Sequence, residues 1–257
     1  MLSFTRNSLS FQEMIIFERN HAMAVELLTE QHPVVLVSAS VLAAVRANCR
    51  GLHIEAQTIL SSALPKVCVM FGEDAAMTKL VKVLFTYVLL ALGHYNEAID
   101  MIDKVVTDAK SLPFVSHFGM HGSCLRAQAL AHLGRLAEAD AELAPLVEFS
   151  ADNPRSESDF YAHEILVVLG FVRLLQGRLR EARALMLPNA RKVASVTGSR
   201  HPVALQHRSY EAMLLEREGR KQEALELYAG LLADLRASMG PTHFMTSACE
   251  TALAQVL

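Results

Sequence analysis

The chain of 257 residues has no tryptophan, only four cysteines and no concentrated run of either charge. Its 24 Lys and Arg residues nearly balance 27 Asp and Glu residues, leaving a net charge of -3. This balance argues against a nucleic acid or an anionic membrane surface as the partner. Because 52% of the residues are apolar, the composition excludes intrinsic disorder and predicts a sizeable core.

The cysteines lie far apart and form no CxxC pair. They are Cys49, Cys68, Cys124 and Cys249. This spacing predicts buried or half-buried free thiols in a reducing cytoplasm. Residues 1–6 lack the features of a secretory signal, which favours a cytoplasmic location as well. The most apolar runs, 34–45 and 83–92, are shorter than the ~20 residues of a membrane span, so we expect core helices and no membrane partner.

One pattern, Gly-x-x-x-Glu-Ala, occurs five times. Its glycines are Gly51, Gly93, Gly134, Gly177 and Gly219, which are 42, 41, 43 and 42 residues apart. In each copy the glycine follows an apolar stretch of helical period, so we expect it to end a helix with a positive φ. The Glu then lies in the first turn of a second helix, where its charge complements the helix dipole. Repetition at this period indicates an array of helix pairs.

Three further positions predict how the helices of a pair pack. Alanine always stands five residues after the glycine, and a small residue or Thr stands seven residues before it. These small side chains allow two antiparallel helices to approach closely. The residues nine after the glycine are large, and they are Leu60, Ile102, Leu143, Met186 and Tyr228. We expect them to fill the space between neighbouring pairs.

A second series of glycines marks the loops between pairs. They are Gly72, Gly198 and Gly240, which are 126 and 42 residues apart. Pro202 follows the second of these loops, and proline is tolerated in the first turn of a helix because its missing N–H would be unpaired there. We expect His201 and His243, in the same loops, to cap the helices that follow.

The turn between the two helices resembles that of the tetratricopeptide repeat (TPR). The best matches are Gly93-His-Tyr95-Asn-Glu97-Ala98 and Leu133-Gly134-Arg-Leu136-Ala-Glu138-Ala139. The ordinary repeat of that family has about 34 residues. A period of about 42 residues, with Gly-x-x-His-Pro in the loop, is similar to the long variant of kinesin light chains and many bacterial regulatory proteins. The first helices lack Trp, and Lys221 replaces the usual aromatic residue or Leu.

This resemblance covers residues 33–257 and implies an all-α fold, a right-handed superhelical solenoid of antiparallel helix pairs. We interpret residues 1–257 as a single TPR-like domain. An N-terminal helix spans about 9–30, helix pairs span 33–71, 74–111, 114–151, 157–197 and 201–238, and a terminal helix spans 243–257. Solenoids need polar caps at both ends. Since the terminal helix is apolar and lacks a second helix, we expect a cut or shortened array rather than a cap.

Two second helices carry proline at the same place. Pro145 and Pro188 each stand eleven residues after their glycine. A proline inside a helix removes one backbone hydrogen bond and costs about 3 kcal/mol unless compensated. The position predicts bent second helices; the alternative is that each helix ends before its proline.

Histidines and a cysteine cluster in one segment. They are His117, His121, Cys124 and His132. A zinc site needs three or four converging ligands with supporting hydrogen bonds. No Glu stands between the first two histidines, so we expect surface or capping histidines and no metal or cofactor.

No motif for catalysis occurs in the sequence. Phosphate-binding loops, dinucleotide-binding turns, nucleophile elbows and metalloprotease helices are all missing. Asp100 and Asp103 form an acidic pair that a solvated helix face explains better than acid–base chemistry. The chain is therefore not expected to be an enzyme.

The first helices of a two-helix solenoid line its inner wall. The resemblance suggests the positions thirteen, ten, six and three residues before each glycine. The candidate groove residues are Val41, Val45, Asn48, Leu80, Val83, Tyr87, Leu90, Cys124, Gln128, Val167, Phe171, Leu174 and Met213. The same offsets also give Ser38, His121, Ala131, Glu164, Gln206, Ser209 and Glu216. TPR domains that clamp a C-terminal carboxylate use Lys, Arg and Asn there; only Asn48 fits, so we do not expect such a clamp.

An apolar wall suits an extended or helical segment anchored by a few aliphatic side chains. The first hypothesis is therefore a non-catalytic module that binds a protein or peptide of unknown identity in its concave groove. The second is a ligand- or peptide-sensing regulatory domain cut from a larger bacterial transcription regulator or kinase. Two other coverings of the wall stay open, a homo-oligomer or the N-terminal helix. The apolar face of that helix would be Phe11, Ile15, Phe17, Val25 and Leu28.

Overall fold

A computed structural model of the chain describes residues 11–110, 117–152 and 160–257. These residues form α1 (Phe11–Leu27), α2 (Pro33–Arg50), α3 (His53–Phe71), α4 (Ala76–Ala91), α5 (Tyr95–Lys110), α6 (His117–His132), α7 (Leu136–Asp152), α8 (Phe160–Leu175), α9 (Leu179–Thr197), α10 (Pro202–Arg217), α11 (Lys221–Met239) and α12 (Phe244–Val256). No strand occurs in the described part of the chain. The predicted all-α array is confirmed, while its right-handed superhelical course stays a prediction.

The described residues group into two compact units, one up to Ala129 and one from Leu130 to Leu257. In the first unit α2 packs against α1, α3 and α4, and α4 also contacts α3 and α5. In the second unit α8 packs against α7 and α9, and α10 contacts α8, α9, α11 and α12. Alternate helices thus contact one another within each unit, as expected for stacked pairs. The interpretation as a single domain stays a prediction.

The bends inside the pairs are built as the glycines predict. All five pattern glycines have φ between 72° and 78°. In four copies the N–H of the next residue bonds the carbonyl five residues back at 2.9 Å, the long bond of a Schellman motif. These N–H groups belong to His94, Arg135, Arg178 and Arg220. The first helix of the first copy ends with a different hydrogen bond. There the Gly51 N–H itself bonds the Ala47 carbonyl at 2.9 Å.

The predicted packing positions are buried in every copy. The alanines five residues after the glycines are at most 1% exposed, and the large residues nine after them are at most 2% exposed. These positions therefore belong to the core in all five copies, while the assignment of the large residues to the space between pairs stays a prediction.

Histidine imidazoles cap three first helices. Nδ1 of His32, His201 and His243 accepts the backbone N–H two residues later, at 3.2, 3.3 and 3.2 Å. Each pairs one of the N–H groups that a helix start leaves unsatisfied. The capping predicted for His201 and His243 is confirmed, and His32 caps α2 in the same way.

The second helices continue past their prolines. Pro145 lies inside α7 and Pro188 inside α9, so the alternative that the helices end there is wrong. After Pro188, the side-chain amide of Asn189 donates to the Leu185 carbonyl at 2.7 Å. Pro65 lies inside α3 as well, which the spacing did not predict. The bending of these helices stays a prediction.

Helix α1 covers the inner side of α2. Met14 is 1% exposed and lies in one buried cluster with Val41 and Val45 of α2. An ion pair of 3.1 Å between Glu18 and Arg46 links the same two helices. The N-terminal helix therefore shields the groove positions of the first pair, one of the coverings that the sequence left open.

The face that α1 uses differs from the prediction. Phe17 packs against the α2 cluster as expected, but Ile15 is 48% and Val25 43% exposed, so their assignment to the buried face is wrong. The side chain of Phe11 lies outside the described residues. The buried face of α1 contains Met14 instead. The position of α2 decides which side chains of α1 are covered.

Among the described helices, α2 alone is long and apolar enough to cross a membrane, and 56% of its apolar window is buried in the fold. Its burial agrees with the core helix predicted for residues 34–45. Large apolar side chains are exposed elsewhere in the first unit, notably Leu27 (73%), Ile54 (73%) and Val69 (88%).

Candidate functional site

The groove candidates of the first unit are mostly packed. Val83, Cys124 and Gln128 are buried, with Val83 in a cluster that includes Leu125 of α6. Leu80, Tyr87 and Leu90 remain partly accessible. Burial assigns the first three to the packing of the stack, and a binding role for the accessible ones stays a prediction.

Two groove candidates of neighbouring pairs meet in a hydrogen bond. Tyr87 Oη of α4 donates to Asn48 Oδ1 of α2 at 2.7 Å. This bond joins two of the first helices across a sequence separation of 39 residues. The amide that most resembles a carboxylate-clamp residue is therefore engaged within the fold.

In the second unit the candidates divide between core and pocket. Val167 and Leu174 are at most 1% exposed and pack inside the stack. Phe171 is 2% exposed and Met213 is partly exposed, and both line one pocket. Three other wall positions, Ala131, Gln206 and Ser209, line the same pocket. The regular offsets thus converge at this place.

This pocket has a volume of about 350 Å³ and lies entirely within the unit from Leu130 to Leu257. Its remaining lining residues are His132, Leu175, Tyr210, Tyr228, Leu235, Phe244, Met245, Ala248, Cys249 and Ala252. The side chains come from α6, α8, α10, α11 and α12. Most are apolar, and the size falls in the range of small-ligand sites.

Aromatic rings form one side of the pocket. The rings of Phe171 and Tyr210 stack with their centroids 4.1 Å apart and an angle of 14° between their planes. The His132 imidazole lies against Phe171 at 5.6 Å. Gln206 Nε2 donates to Tyr210 Oη at 2.8 Å and holds the end of that ring. Stacking and this hydrogen bond together fix the orientation of the rings.

Desolvation shifts the pKa values of three groups that line the pocket toward their uncharged forms. It lowers the pKa of His132 below the ordinary value of 6.5 and raises the pKa of the Tyr228 phenol. Burial also raises the pKa of the Cys249 thiol, which donates to the Tyr228 carbonyl at 3.6 Å. A protonated thiol is a poor nucleophile.

A buried polar group lies behind the aromatic wall. Nε2 of His207 is 2.9 Å from Oε2 of Glu164, within ion-pair distance but without the alignment of a hydrogen bond. Both side chains are almost fully buried. Burial lowers the pKa of the nearby His201 to about 4. The charge of Glu164 acts to raise this pKa, and His207 acts to lower it. Glu164, which the offsets placed on the inner wall, is therefore buried in the interior of the fold beside His207.

Several pocket residues were missed because α12 was left out of the wall. Ala248 stands 42 residues after Gln206, so one more step of the same period would have found it. Phe244, Cys249 and Ala252 lie on the same helix. Tyr228 was assigned to the layer between pairs, and its large ring also reaches the pocket edge.

Two predictions about polar residues concern sites outside the pocket, namely a metal site and the acidic pair of α5. Within the described residues, no three His, Cys, Asp or Glu side chains come close enough to hold a metal ion. Asp103 is half exposed, yet its carboxylate accepts from Arg126 of α6 at 2.6 Å. Its half-exposed carboxylate agrees with the solvated helix face predicted for it, and the next first helix brings a guanidinium to that face.

Solved structures resemble this arrangement, although no family model and no curated protein matches the chain. A kinesin light chain-like protein of Podosopora anserina with nearly identical TPR-like repeats is 22% identical, with a TM-score of 0.55. A variant of it gives 22% and 0.56. Both comparisons cover 80% of this chain and 97% of the other. A TPR protein of Thermus thermophilus is 19% identical, with a TM-score of 0.51, and the match covers 80% of this chain and 91% of the other.

The chain has the TPR-like fold. At these identities the likeness concerns the arrangement of the helices, and it supports the resemblance noted in the sequence. In this TPR-like chain the pocket lies where first helices α8, α10 and α12 come together with α11, at the positions from which the sequence predicted a binding wall.

Proposed function

We propose that this chain is a non-catalytic interaction module that binds a peptide or a segment of a protein, with the pocket of the second unit as the anchoring site. The observation that carries the proposal is the convergence of Phe171, Met213 and three further wall positions in one apolar pocket. TPR-like repeats support a role in protein–protein interaction in general. The pocket supports the finer assignment.

The geometry of the helices favours an elongated partner. Helix α10 contacts both α8 and α12, so their pocket-lining faces form one surface. A segment laid across that surface can insert a side chain between Met213 and Ala248 while its backbone remains outside. Deep, desolvated contacts of this kind supply most of the affinity in protein interfaces.

The chemistry of the lining argues against anion recognition. No Lys or Arg occurs among the described residues that line the pocket. A carboxylate or phosphate placed there would lose its hydration without gaining an opposite charge. The carboxylate clamp that the sequence disfavoured is accordingly not part of the proposal.

A sensory function is the second candidate. The volume of about 350 Å³ lies within the range of pockets that enclose small molecules. This observation favours a ligand- or peptide-sensing domain of a larger bacterial transcription regulator or kinase. For either function we propose a cytoplasmic location, in keeping with four free thiols.

Selection from a random peptide library tests the interaction module. We expect the immobilised chain to enrich peptides that bind it and do not bind the Met213→Glu variant, because a carboxylate would enter the apolar pocket. Met77→Glu is the matched control, since Met77 is an exposed methionine of the first unit. Circular dichroism and thermal unfolding establish that both variants fold.

Peptides that bind both variants as well as the wild type would refute the pocket as the anchoring site. A selection that enriches no peptide, together with tight binding of a small molecule that Met213→Glu abolishes, would favour the sensory function. Val83 and Phe171 are unsuitable for such tests, because both are buried and a charge there would threaten the fold.

A further inference from the structure

The face of α3 that is turned away from α2 and α4 exposes large apolar side chains. Ile54 is 73% exposed and Val69 is 88% exposed, and both lie on this face. At the position of Ile54, the other second helices have Asn96, Ala137, Arg180 and Gln222. The repeat therefore does not require an apolar residue there, and an exposed apolar face of this kind marks an interaction surface.

Six exposed residues without charge form what we call the α3 stripe. They are Ile54, Thr58, Ser61, Ser62, Pro65 and Val69. Their spacing of three or four residues places them on one side of the helix, over a length of about 22 Å. The hydroxyls of Thr58 and Ser61 donate to the carbonyls four residues earlier. These two polar groups are therefore satisfied within α3, and another surface can cover them.

The α3 stripe is complementary to itself in the reverse direction. Its midpoint lies between Ser61 and Ser62, and Ile54 and Val69 are equally far from that midpoint. A second copy, related by a two-fold axis through the midpoint, therefore sets Ile54 against Val69 at both ends. The two residues next inward match in the same way. The small serines at the centre allow the two helices to approach closely.

The charges beside the stripe match under the same two-fold axis. Glu55 and Lys66 are exposed and lie on the same flank of the stripe, one toward each end. Antiparallel pairing brings Glu55 of one copy beside Lys66 of the other, and the symmetry forms this pair twice. Among the described residues, neither side chain has an ion-pair partner within the chain. A second copy therefore supplies each of them with an opposite charge.

Glu55 differs in this respect from the pattern glutamates of the last three copies. Glu138, Glu181 and Glu223 each bind an arginine three residues earlier, at 2.7, 2.6 and 2.5 Å. Leu52 stands at that position before Glu55 and is 38% exposed. The carboxylate of Glu55 therefore lacks the local partner that those copies provide.

The proline inside α3 leaves a polar group at the centre of the stripe. Pro65 has no N–H, so the Ser61 carbonyl, four residues earlier, lacks its ordinary helical donor. The Ser62 hydroxyl of a second copy lies opposite this carbonyl across the two-fold axis and can donate to it. The antiparallel pair thus has a polar contact at its centre and apolar contacts at its ends.

From the self-complementary stripe and its flanking charges, we infer that two copies of this chain associate through α3, as an antiparallel pair of helices. This inference goes beyond the proposed function, since α3 belongs to the first unit and the pocket to the second. One helix face is smaller than the ~800 Å² that each partner of a standard interface buries. We therefore expect a reversible dimer that forms in the micromolar range.

Sedimentation equilibrium of the full chain measures this association. Val69→Asp places a carboxylate near Glu55 of the second copy, so the dissociation constant should rise by roughly tenfold or more. Leu27→Asp is the matched control, because Leu27 is 73% exposed and also lies in the last turn of a helix. It should dimerise as the wild type does. Circular dichroism establishes that the variants fold.

Charge reversal tests the pairing of opposite charges. Glu55→Lys and Lys66→Glu each bring like charges together twice in the dimer, so each should weaken dimerisation by roughly fivefold to tenfold. The double variant restores opposite charges and should dimerise to within about twofold of the wild type. Within one chain the two side chains are about 16 Å apart along α3. Only pairing between copies therefore predicts this rescue.

A cysteine beside the two-fold axis tests the register. In a Cys68→Ser background, Ser62→Cys should give a disulfide-linked dimer on mild oxidation. The two copies of residue 62 lie close enough for the Cα separation of about 4.4–6.8 Å that a disulfide allows. Thr58→Cys is the control on the same stripe, because its two copies lie about 10 Å apart along the helices. It should remain unlinked.

Three results would overturn the inference. The first is a chain that stays monomeric at its highest soluble concentration, even if the α3 stripe then binds lipid vesicles or another protein. The second is a dimer that Val69→Asp and both single charge reversals leave unchanged, since another surface would then hold it together. The third is a failure of the double charge reversal to restore dimerisation. None of these results affects the pocket, which the peptide selection tests separately.

Discussion

Met186 of α9 occupies the space in which a side chain on Gly170 of α8 would lie. A Cβ on Gly170 would overlap the Met186 side chain and would approach the Ala182 carbonyl to 3.2 Å. The backbone of α8 at Gly170 therefore lies in close contact with the Met186 side chain of α9. The repeat pattern assigned a small residue to position 170 and a large one to position 186, and the contact joins these two positions.

Gly170→Ala should destabilise the chain. Alanine improves helix propensity by roughly 1 kcal/mol, but forcing a methyl group into a packed contact costs typically 1–3 kcal/mol. Met186 is 1% exposed and has little room to move, so the steric cost should dominate. We expect a net loss of about 1 kcal/mol, measured by urea unfolding of the full chain.

Gly230→Ala is the matched control for that substitution. Gly230 also lies inside a helix, but a Cβ there would meet only an Arg208 side-chain nitrogen at 3.8 Å. The same change should therefore stabilise the chain by about 0.5–1 kcal/mol. If both substitutions stabilise equally, the close approach of α8 and α9 is not as described.

Ala139→Leu should destabilise through the same kind of contact in another pair. Ala139 is completely buried where α7 meets its neighbours. Three additional carbon atoms must displace packed side chains, at a cost of roughly 1–3 kcal/mol. A denaturant midpoint equal to that of the wild type would contradict the packing scheme.

The stability of the chain should fall below pH 6.5 because of His201. Burial lowers the pKa of His201 to about 4, whereas an unfolded histidine titrates near the ordinary 6.5. Above pH 6.5 both states are neutral and the full stability is present. Between pH 6.5 and 4 the unfolded chain takes up a proton that the folded chain does not. The free energy of unfolding should therefore decrease by up to about 3 kcal/mol.

His201→Asn tests this assignment. Asparagine retains a side-chain acceptor for the start of α10 and removes the titration. Unfolding free energies measured from pH 7 to pH 4 should decline less in the variant than in the wild type. Two parallel curves would show that another group causes the acid sensitivity.

The sequence predicted well wherever the structure depends on local backbone requirements. The positive φ of the pattern glycines and the histidine caps involve atoms a few residues apart, so a residue type at a fixed spacing was sufficient. The offsets of the small and the large residues were equally informative, because the repeat places each of them at an equivalent position in every helix pair. Pro145 shows the limit, since the spacing left open whether α7 ends there.

Interactions between distant segments were predicted less well. The pairing of Asp103 with Arg126 depends on the placement of one helix against the next pair, which the pattern does not specify. Likewise, Val41 and Val45 occupy wall positions but are covered by α1. The sequence listed the residues on a face without showing which neighbour lies over it.

By itself, the sequence determined the repeat, the bends and the contacts within each helix pair, because backbone conformation and side-chain volume at neighbouring positions decide them. Only the tertiary structure decided which wall residues are accessible and which are packed. It also brought the wall positions together with α12 in a pocket without charge. Accessibility depends on every segment that approaches a surface, and a period along the chain cannot encode that.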